Sequence, residues 1–194
     1  MIFIVTGCTS LPLVPTGTEV TYTHKVKDVM GSTIELYDET KTLVNDTSEV
    51  MVWSINGEHY IEGRTVVRGR YLQADILSGK SKLSKRDKWN AKSLWPLKLG
   101  NKSTFKYGSF VKSILFGRST ETCEVTGRED YILSGKTYNA YQVNCYKKGF
   151  LSGFVFSTRY LFHPDIPVFL ERKTGTWSRD TTYTLQQFVP SIGE

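Results

Sequence analysis

Polar and apolar positions alternate along most of this chain. Over 18–28 (TEVTYTHKVKD), Val20, Tyr22, His24 and Val26 fall on one side and polar residues on the other. A period of two is what a half-buried strand requires. Met30-Gly31 reads as a turn, and the alternation resumes over 32–37. The run 49–55 (EVMVWSI) leads into Asn56-Gly57 and then into 58–61. Asn-Gly between two such runs predicts a hairpin, because a type I′ turn needs positive φ at both central positions. A further strand is expected over 64–72.

Residues 73–99 break the pattern. SGKSKLSKRDKWNAKSLWPLKLG is basic and poor in β-branched residues, so it reads as a loop, with a helical turn near 87–92 that ends before Pro96. Beyond it, strands are expected over 104–116, 119–126, 128–133, 137–147, 153–162, 168–173 and 181–189. Gly117, Gly127, Ser134-Gly135, Lys148-Gly149 and Pro164 punctuate them. The aromatic segment GFVFSTRYLF is expected to lie centrally in its sheet. Many short strands predict an all-β fold: an antiparallel meander forming a strongly curved sheet, a barrel or a sandwich. Residues 17–194 read as a single β domain. Its halves, about 17–72 and 100–190, are joined by the basic loop. A ring placed five positions after a glycine in both Gly17–Tyr22 and Gly100–Phe105 is the one hint that the halves are alike.

Composition supports sheet over helix. The 194 residues include 11 Tyr, 10 Phe and 4 Trp against 3 Met, and aromatic and β-branched side chains suit a pleated surface. At 39% hydrophobic and 23% charged the chain is globular. The net charge of +6 is polarised: seven acids and three bases between 19 and 50, eleven bases and one acid between 80 and 118. Lys80, Lys82, Lys85, Arg86, Lys88 and Lys92 surround Trp89 and are followed by Trp95, a set suited to a membrane interface or an anionic polymer. A solvated basic face is the plainer reading. Anionic polymers are expected partners, with no nucleic acid.

The chain opens MIFIVTGCTSLPLV. Val5, Thr6, Gly7 and Cys8 resemble the lipobox of bacterial lipoproteins, in which an aliphatic and two small residues precede the cysteine that receives lipid. The resemblance makes Cys8 the lipidation site, and residues 1–16 a truncated signal and tether. It also implies that a membrane, the outer one by the absence of Asp after Cys8, is held through the anchor. The competing reading makes residues 3–7 a first strand with a buried free cysteine. No later stretch has eighteen consecutive apolar residues.

Cys123 and Cys145 each alternate with apolar neighbours. Two strands connected by a short intervening strand would bring them within disulfide range. With Cys8 lipidated the remaining count is even, as an oxidising compartment favours; two buried thiols are the alternative. Residues 94–172 further resemble a pattern of β-rich bacterial envelope lipoproteins: Pro96, Leu97 and Gly100; Cys123, Val125, Gly127 and Glu129; Gly135, Tyr138, Ala140, Tyr141, Val143 and Cys145; then Tyr160, Phe162 and Pro164. The resemblance implies an envelope location and an antiparallel sheet, makes other envelope proteins or anionic envelope polymers the expected partners, and carries over no catalytic residues.

No motif predicts an enzyme, a cofactor or a metal site. His24, His59 and His163 lack metal-ligand spacing; His24 is expected to be structural, and His163, before Pro164-Asp165, a turn residue. Gly79-Lys80-Ser81 and Gly135-Lys136-Thr137 end like P-loops but lack the first glycine, with Ala74 and Asp130 in its place. The rings of Tyr138, Tyr141, Phe154, Phe156, Tyr160 and Phe162 read first as core. On a curved sheet they would instead line an apolar groove. The function expected is therefore binding or scaffolding at the bacterial outer membrane. A lipid- or lipoprotein-handling groove stands as the alternative, and a glycan-acting enzyme last.

Overall fold

The computed structural model describes residues 14–46, 50–63, 70–71, 81–83, 94, 96–111, 114–148 and 155–191. Every regular element among them is a strand: β1 (Glu19–Asp28), β2 (Thr33–Asp46), β3 (Val50–Ile55), β4 (Glu58–Gly63), β5 (Arg70–Tyr71), β6 (Ser81–Leu83), β7 (Lys102–Val111), β8 (Ile114–Leu133), β9 (Lys136–Lys148), β10 (Val155–His163), β11 (Ile166–Gly175) and β12 (Arg179–Val189). They form one antiparallel sheet in the order β5-β4-β3-β2-β1-β12-β11-β10-β9-β8-β7-β6. Each neighbour pair is a sequence neighbour except at the centre, where the first and last strands meet, Glu19 opposite Val189 and Asp28 opposite Arg179. Among the described residues no ladder joins β5 to β6, so the sheet is open. Of the three expected forms, the closed barrel is set aside.

Alternation decides the faces. Val20, Tyr22, His24 and Val26 are buried along β1 while Thr21, Thr23 and Lys25 are only partly covered. In register with them lie Leu185 and Tyr183 of β12 and Lys41 and Tyr37 of β2. This face, here called the inner face, continues through Trp53, Arg172, Tyr160, Val143 and Cys123. The sheet is bent. Tyr22 stacks on Phe169 at 4.6 Å and donates its hydroxyl to the Phe169 carbonyl at 2.8 Å, although β12 lies between their strands. That approach is available because β11 pairs with β12 only from Glu171 onward, leaving its first half free to swing inward.

One end of the core is closed by the chain between Leu94 and Asn101. Leu94 and Leu97 are buried there. Asn101 donates its side-chain amide to the Pro96 carbonyl at 2.8 Å, and the Gly100 N–H donates to Val125 at 2.9 Å from a backbone with φ +83°. Each fully buried aliphatic or aromatic side chain contributes roughly 1.5–3 kcal/mol.

Four expectations are corrected. The strand expected over 104–116 is two strands, because the chain reverses between Val111 and Ile114, which face each other. Apolar residues on both sides of that reversal hide it from a periodicity reading. The strands expected over 119–126 and 128–133 are one: Gly127 does not break β8 but sits at a bulge opposite Gln142, without a left-handed backbone. With those two merged, no strand intervenes between the cysteines, and Cys123 lies directly opposite Cys145 in adjacent strands. The basic loop of 73–99 contains β6, which pairs with β7 through Ser81, Lys82 and Leu83. The helical turn expected over 87–92 and most of the strand over 64–72 lie outside the described residues.

The bulge has a structural consequence. Beyond it the β8–β9 hairpin leaves the plane of the sheet and folds across the outer face of β10–β12. Tyr131 donates to the Leu185 carbonyl at 2.5 Å, and Glu129 pairs with Arg159, which also lies 3.5 Å from Glu171. Leu133, Ala140 and Leu161 are buried on this side. Covered on both faces, β11 is buried without alternation from Ile166 to Leu170.

Candidate functional site

The inner face carries a band of rings and cations. Lys41 is 2% exposed. Its ammonium lies 4.8 Å from the ring of Trp53, 5.1 Å from Tyr22 and 6.0 Å from Phe169. Strand geometry puts it there: Lys41 and Leu43 alternate on the face that Tyr22 and Trp53 share. Ring faces offer negative potential to a cation removed from water. Arg172 continues the band, its guanidinium 4.2 Å from the Tyr183 ring and 5.4 Å from Phe169. Tyr183 stacks on His24 at 4.4 Å, and Tyr37 meets His24 edge-on at 4.6 Å.

Burial sets the protonation of this band. Desolvation lowers the His24 pKa, with Arg172 acting in the same direction and Glu35 and Glu39 against it. The buried Nδ1 of His24 has no hydrogen-bond partner, which leaves the imidazolium poorly supported. Burial likewise raises the Tyr183 and Tyr37 hydroxyls. A neutral imidazole between two protonated phenols, beside a stacked guanidinium, is built to recognise or to pack. The band pairs cations with ring faces and sets no nucleophile against a base.

Cys123 and Cys145 form a disulfide, their Cα atoms 4.0 Å apart. Buried Glu121 places a carboxylate oxygen 4.0 Å from the Cys123 sulfur. Glu121, Cys123 and Cys145 are close enough to suggest a metal site. However, thiolates are the ligating form of cysteine, and these sulfurs are bonded to each other.

Of the six rings expected together four are described, and Tyr138 lies on the opposite face from Tyr141, Tyr160 and Phe162. Tyr160 and Phe162 are buried on the inner face and stacked at 5.7 Å. Tyr141 is covered by the Arg128 guanidinium at 4.2 Å. Tyr138 faces the other way and packs edge-on against His163 at 5.1 Å. Phe154, and the side chain of Phe156, lie outside the described residues. So do Cys8, Lys80, Lys85, Arg86, Lys88, Trp89, Lys92 and Trp95; Lys82 is described only through the backbone of β6. His163 accepts from the Asp165 N–H at 3.2 Å across the β10–β11 turn, as a turn residue does. Sequence reasoning missed Lys41, Arg172, Tyr37 and Tyr183. The one signal was position, Lys41 two before Leu43 and Arg172 two after Leu170, which does not show the rings that receive the two cations.

The class this architecture defines is an open, bent antiparallel sheet of consecutive hairpins closed centrally by its first and last strands. A similar arrangement occurs in the hypothetical lipoprotein YmcC of Escherichia coli, at TM-score 0.50 and 11% identity over 88% of this chain and 87% of that one. A Bacteroides fragilis protein described as exported, with a YmcC-like fold, aligns at TM-score 0.46 and 8% identity over 93% and 99% of the two chains. A Parabacteroides distasonis protein described as a lipoprotein aligns at 0.42 and 9% over 94% and 98%. At such identity the likeness to YmcC is one of fold. No protein-family model matches the sequence, and no curated protein sequence matches it.

Proposed function

We propose that this chain is a non-enzymatic binding or scaffolding module of the bacterial cell envelope, exported and held at the outer membrane by lipid on Cys8. The observation that carries the reading is the Cys123–Cys145 bridge. Structural disulfides persist in oxidising compartments and are rare in cytosol, and bridging these two leaves Cys8 as the only other cysteine of the sequence. Binding is favoured over catalysis because Lys41, Arg172 and His24 of the inner face are packed against rings, while large apolar side chains stand exposed. Met30 is 85% exposed and Trp177 76%, on turns of two hairpins made adjacent by the β1–β12 pairing. Single exposed apolar residues need no explanation, but several on adjacent turns at one rim favour a contact surface. The basic segment around Trp89 and Trp95 would add attachment to anionic polymer or lipid.

The test is metabolic labelling with a palmitate analogue in a bacterial host, on the full chain and on Cys8→Ser, followed by membrane fractionation. The expected result is label on the parent in the outer-membrane fraction, and a Cys8→Ser protein that is unlabelled and released by osmotic shock. Label that persists in Cys8→Ser, or a parent protein found unlabelled in the cytosol with reduced sulfurs, overturns the reading.

A further inference from the structure

We infer that the free edge of β2 from Thr33 to Asp38 takes an extended segment of a partner protein as an added strand, and that the segment alternates apolar with basic residues. The observation is a mismatch of strand lengths. On one side β2 is paired with β1 from Thr33 to Thr42. On the other, β3 begins to pair only at Thr42 and continues to Asp46. The β3–β4 turn at Asn56-Gly57 ends the neighbouring lane there, so the first half of β2 projects beyond it. Among the described residues no strand pairs with that side of Thr33–Asp38.

An unpaired run of backbone N–H and C=O groups is a template for another strand, and proteins ordinarily guard such edges with lysine, proline, a bulge or shortness. From Glu35 onward this edge has none of these. Between Val29 and Thr40 there is no Lys, Arg or Pro. The one register shift lies at the turn end, between Val26 and Lys27 opposite Glu35 and Thr33, so the ladder is regular from Glu35 onward. Every residue from Thr33 to Asp38 is exposed, including Ile34, Tyr37 and Leu36, the last at 62%. Hence the edge is apolar as well as open.

Charge identifies the occupant. Glu35, Asp38 and Glu39 are the only charged residues between Val29 and Thr40. Lys25 and Lys27 sit on β1, across β2 from the open side, and Lys41, the next base along β2, is buried. A second copy docking edge to edge would set acid against acid, which is costly. Glu35 lies opposite Val26 on one face, whereas Leu36 and Asp38 lie opposite Lys25 and Thr23 on the other, so a strand with lysine or arginine facing Glu35 and apolar residues over Leu36 satisfies backbone, charge and burial together. This is β-augmentation, in which the main chain supplies affinity and alternate side chains supply specificity. The open stretch has room for a partner of about six or seven residues at ~3.3 Å each. None of this depends on Cys8, so a failure of the lipid anchor and a failure of this docking edge are told apart.

The probe is a synthetic peptide alternating lysine and valine, about seven residues long, with a glutamate–valine peptide as comparison. Binding is read by fluorescence anisotropy and its location by amide hydrogen exchange. The lysine peptide is expected to bind saturably, to slow exchange within Thr33–Asp38, and to bind about tenfold or more tightly than the glutamate peptide. Glu35→Lys should abolish the preference. The position is exposed, and unchanged exchange at His24 and Lys25 of β1 verifies that the variant is folded. Three results would overturn the inference. They are equal binding of both peptides, protection that maps elsewhere, and protection of Thr33–Asp38 that grows with protein concentration alone, the mark of a second copy.

Discussion

The ammonium of Lys41 sits 4.8 Å from the ring of Trp53, deep on the inner face and almost wholly out of solvent. A lysine there is tolerable only while its surroundings replace the hydration it lost. Trp53 is both a cover for the cation and a large part of the core between β2 and β3. Trp53→Ala therefore removes buried area and exposes the charge to a cavity. The expected cost is about 3–5 kcal/mol, read as a lower urea midpoint with little change in slope. Trp53→Phe keeps a ring face over Lys41 and should lose less than half as much. Equal losses for the two would mean that the ring face does nothing for the cation.

The disulfide between Cys123 and Cys145 cross-links two strands already joined by a short hairpin turn at Ser134-Gly135. In the chain-entropy treatment a loop of this separation gains about 3 kcal/mol at most. Cys123→Ala with Cys145→Ala should destabilise by up to that amount and leave the sheet assembled, because both positions remain apolar and buried. The measurement is equilibrium unfolding of the double variant beside the parent, with and without reductant. The reductant should move the parent toward the variant and leave the variant where it was.

His24 gives the inner face a pH dependence whose sign is fixed by burial. Its pKa in the folded protein lies below the ordinary 6.5, so the unfolded chain binds the proton first as pH falls. Stability is thus fully present above pH 6.5, declines as pH drops below it, and levels off once the folded state also takes the proton. The groups facing the imidazole are Tyr37, Tyr183 and Arg172, with Glu35 and Glu39 opposing the shift. His24→Phe keeps a ring between the two tyrosines and removes the titration. The difference in unfolding free energy between parent and His24→Phe should therefore change between pH 7 and pH 5, in the variant's favour at the lower pH. A constant difference across that range would mean that His24 is not protonated differently on unfolding.

What the sequence made legible followed from alternation and turn chemistry. Asn56-Gly57 adopts φ values of +51° and +82°, the pair of left-handed residues that an Asn-Gly hairpin demands. Ser134-Gly135 makes the same kind of turn, with +50° and +78°, though serine signals it more weakly than asparagine. The cysteine pairing was readable because both residues alternate with apolar neighbours, yet the route between them was misread at Gly127. A glycine that ends a strand and a glycine that bends one look alike in sequence; only the partner strand, with Gln142 opposite, decides. The inner band was invisible for a different reason. Lys41 and Arg172 are charged, and a charged residue on an alternating face reads as solvated until the rings that receive it are known. The open edge of β2 was equally hidden, since it depends on where β3 begins to pair.

The bend in the β8–β9 hairpin rests on few contacts, and one of them can be removed cleanly. Tyr131 donates to the Leu185 carbonyl on β12, with three strands between them in sheet order. Its hydroxyl is held strongly in the neutral form by burial, with Glu171 adding to the shift. It therefore donates throughout the physiological range. Tyr131→Phe deletes the donor and leaves the ring, at a cost of about 1 kcal/mol. Because the tip beyond the bulge can lift while the rest of the sheet stays paired, the loss should be local. Amide exchange in β8 and β9 between Gly127 and Tyr141 should quicken by about fivefold, whereas exchange at Tyr22 and Leu185 should scarcely move. If exchange rose equally in both regions, the folded-over tip would be part of one cooperative unit with the central strands, and the bulge a bend without independent motion.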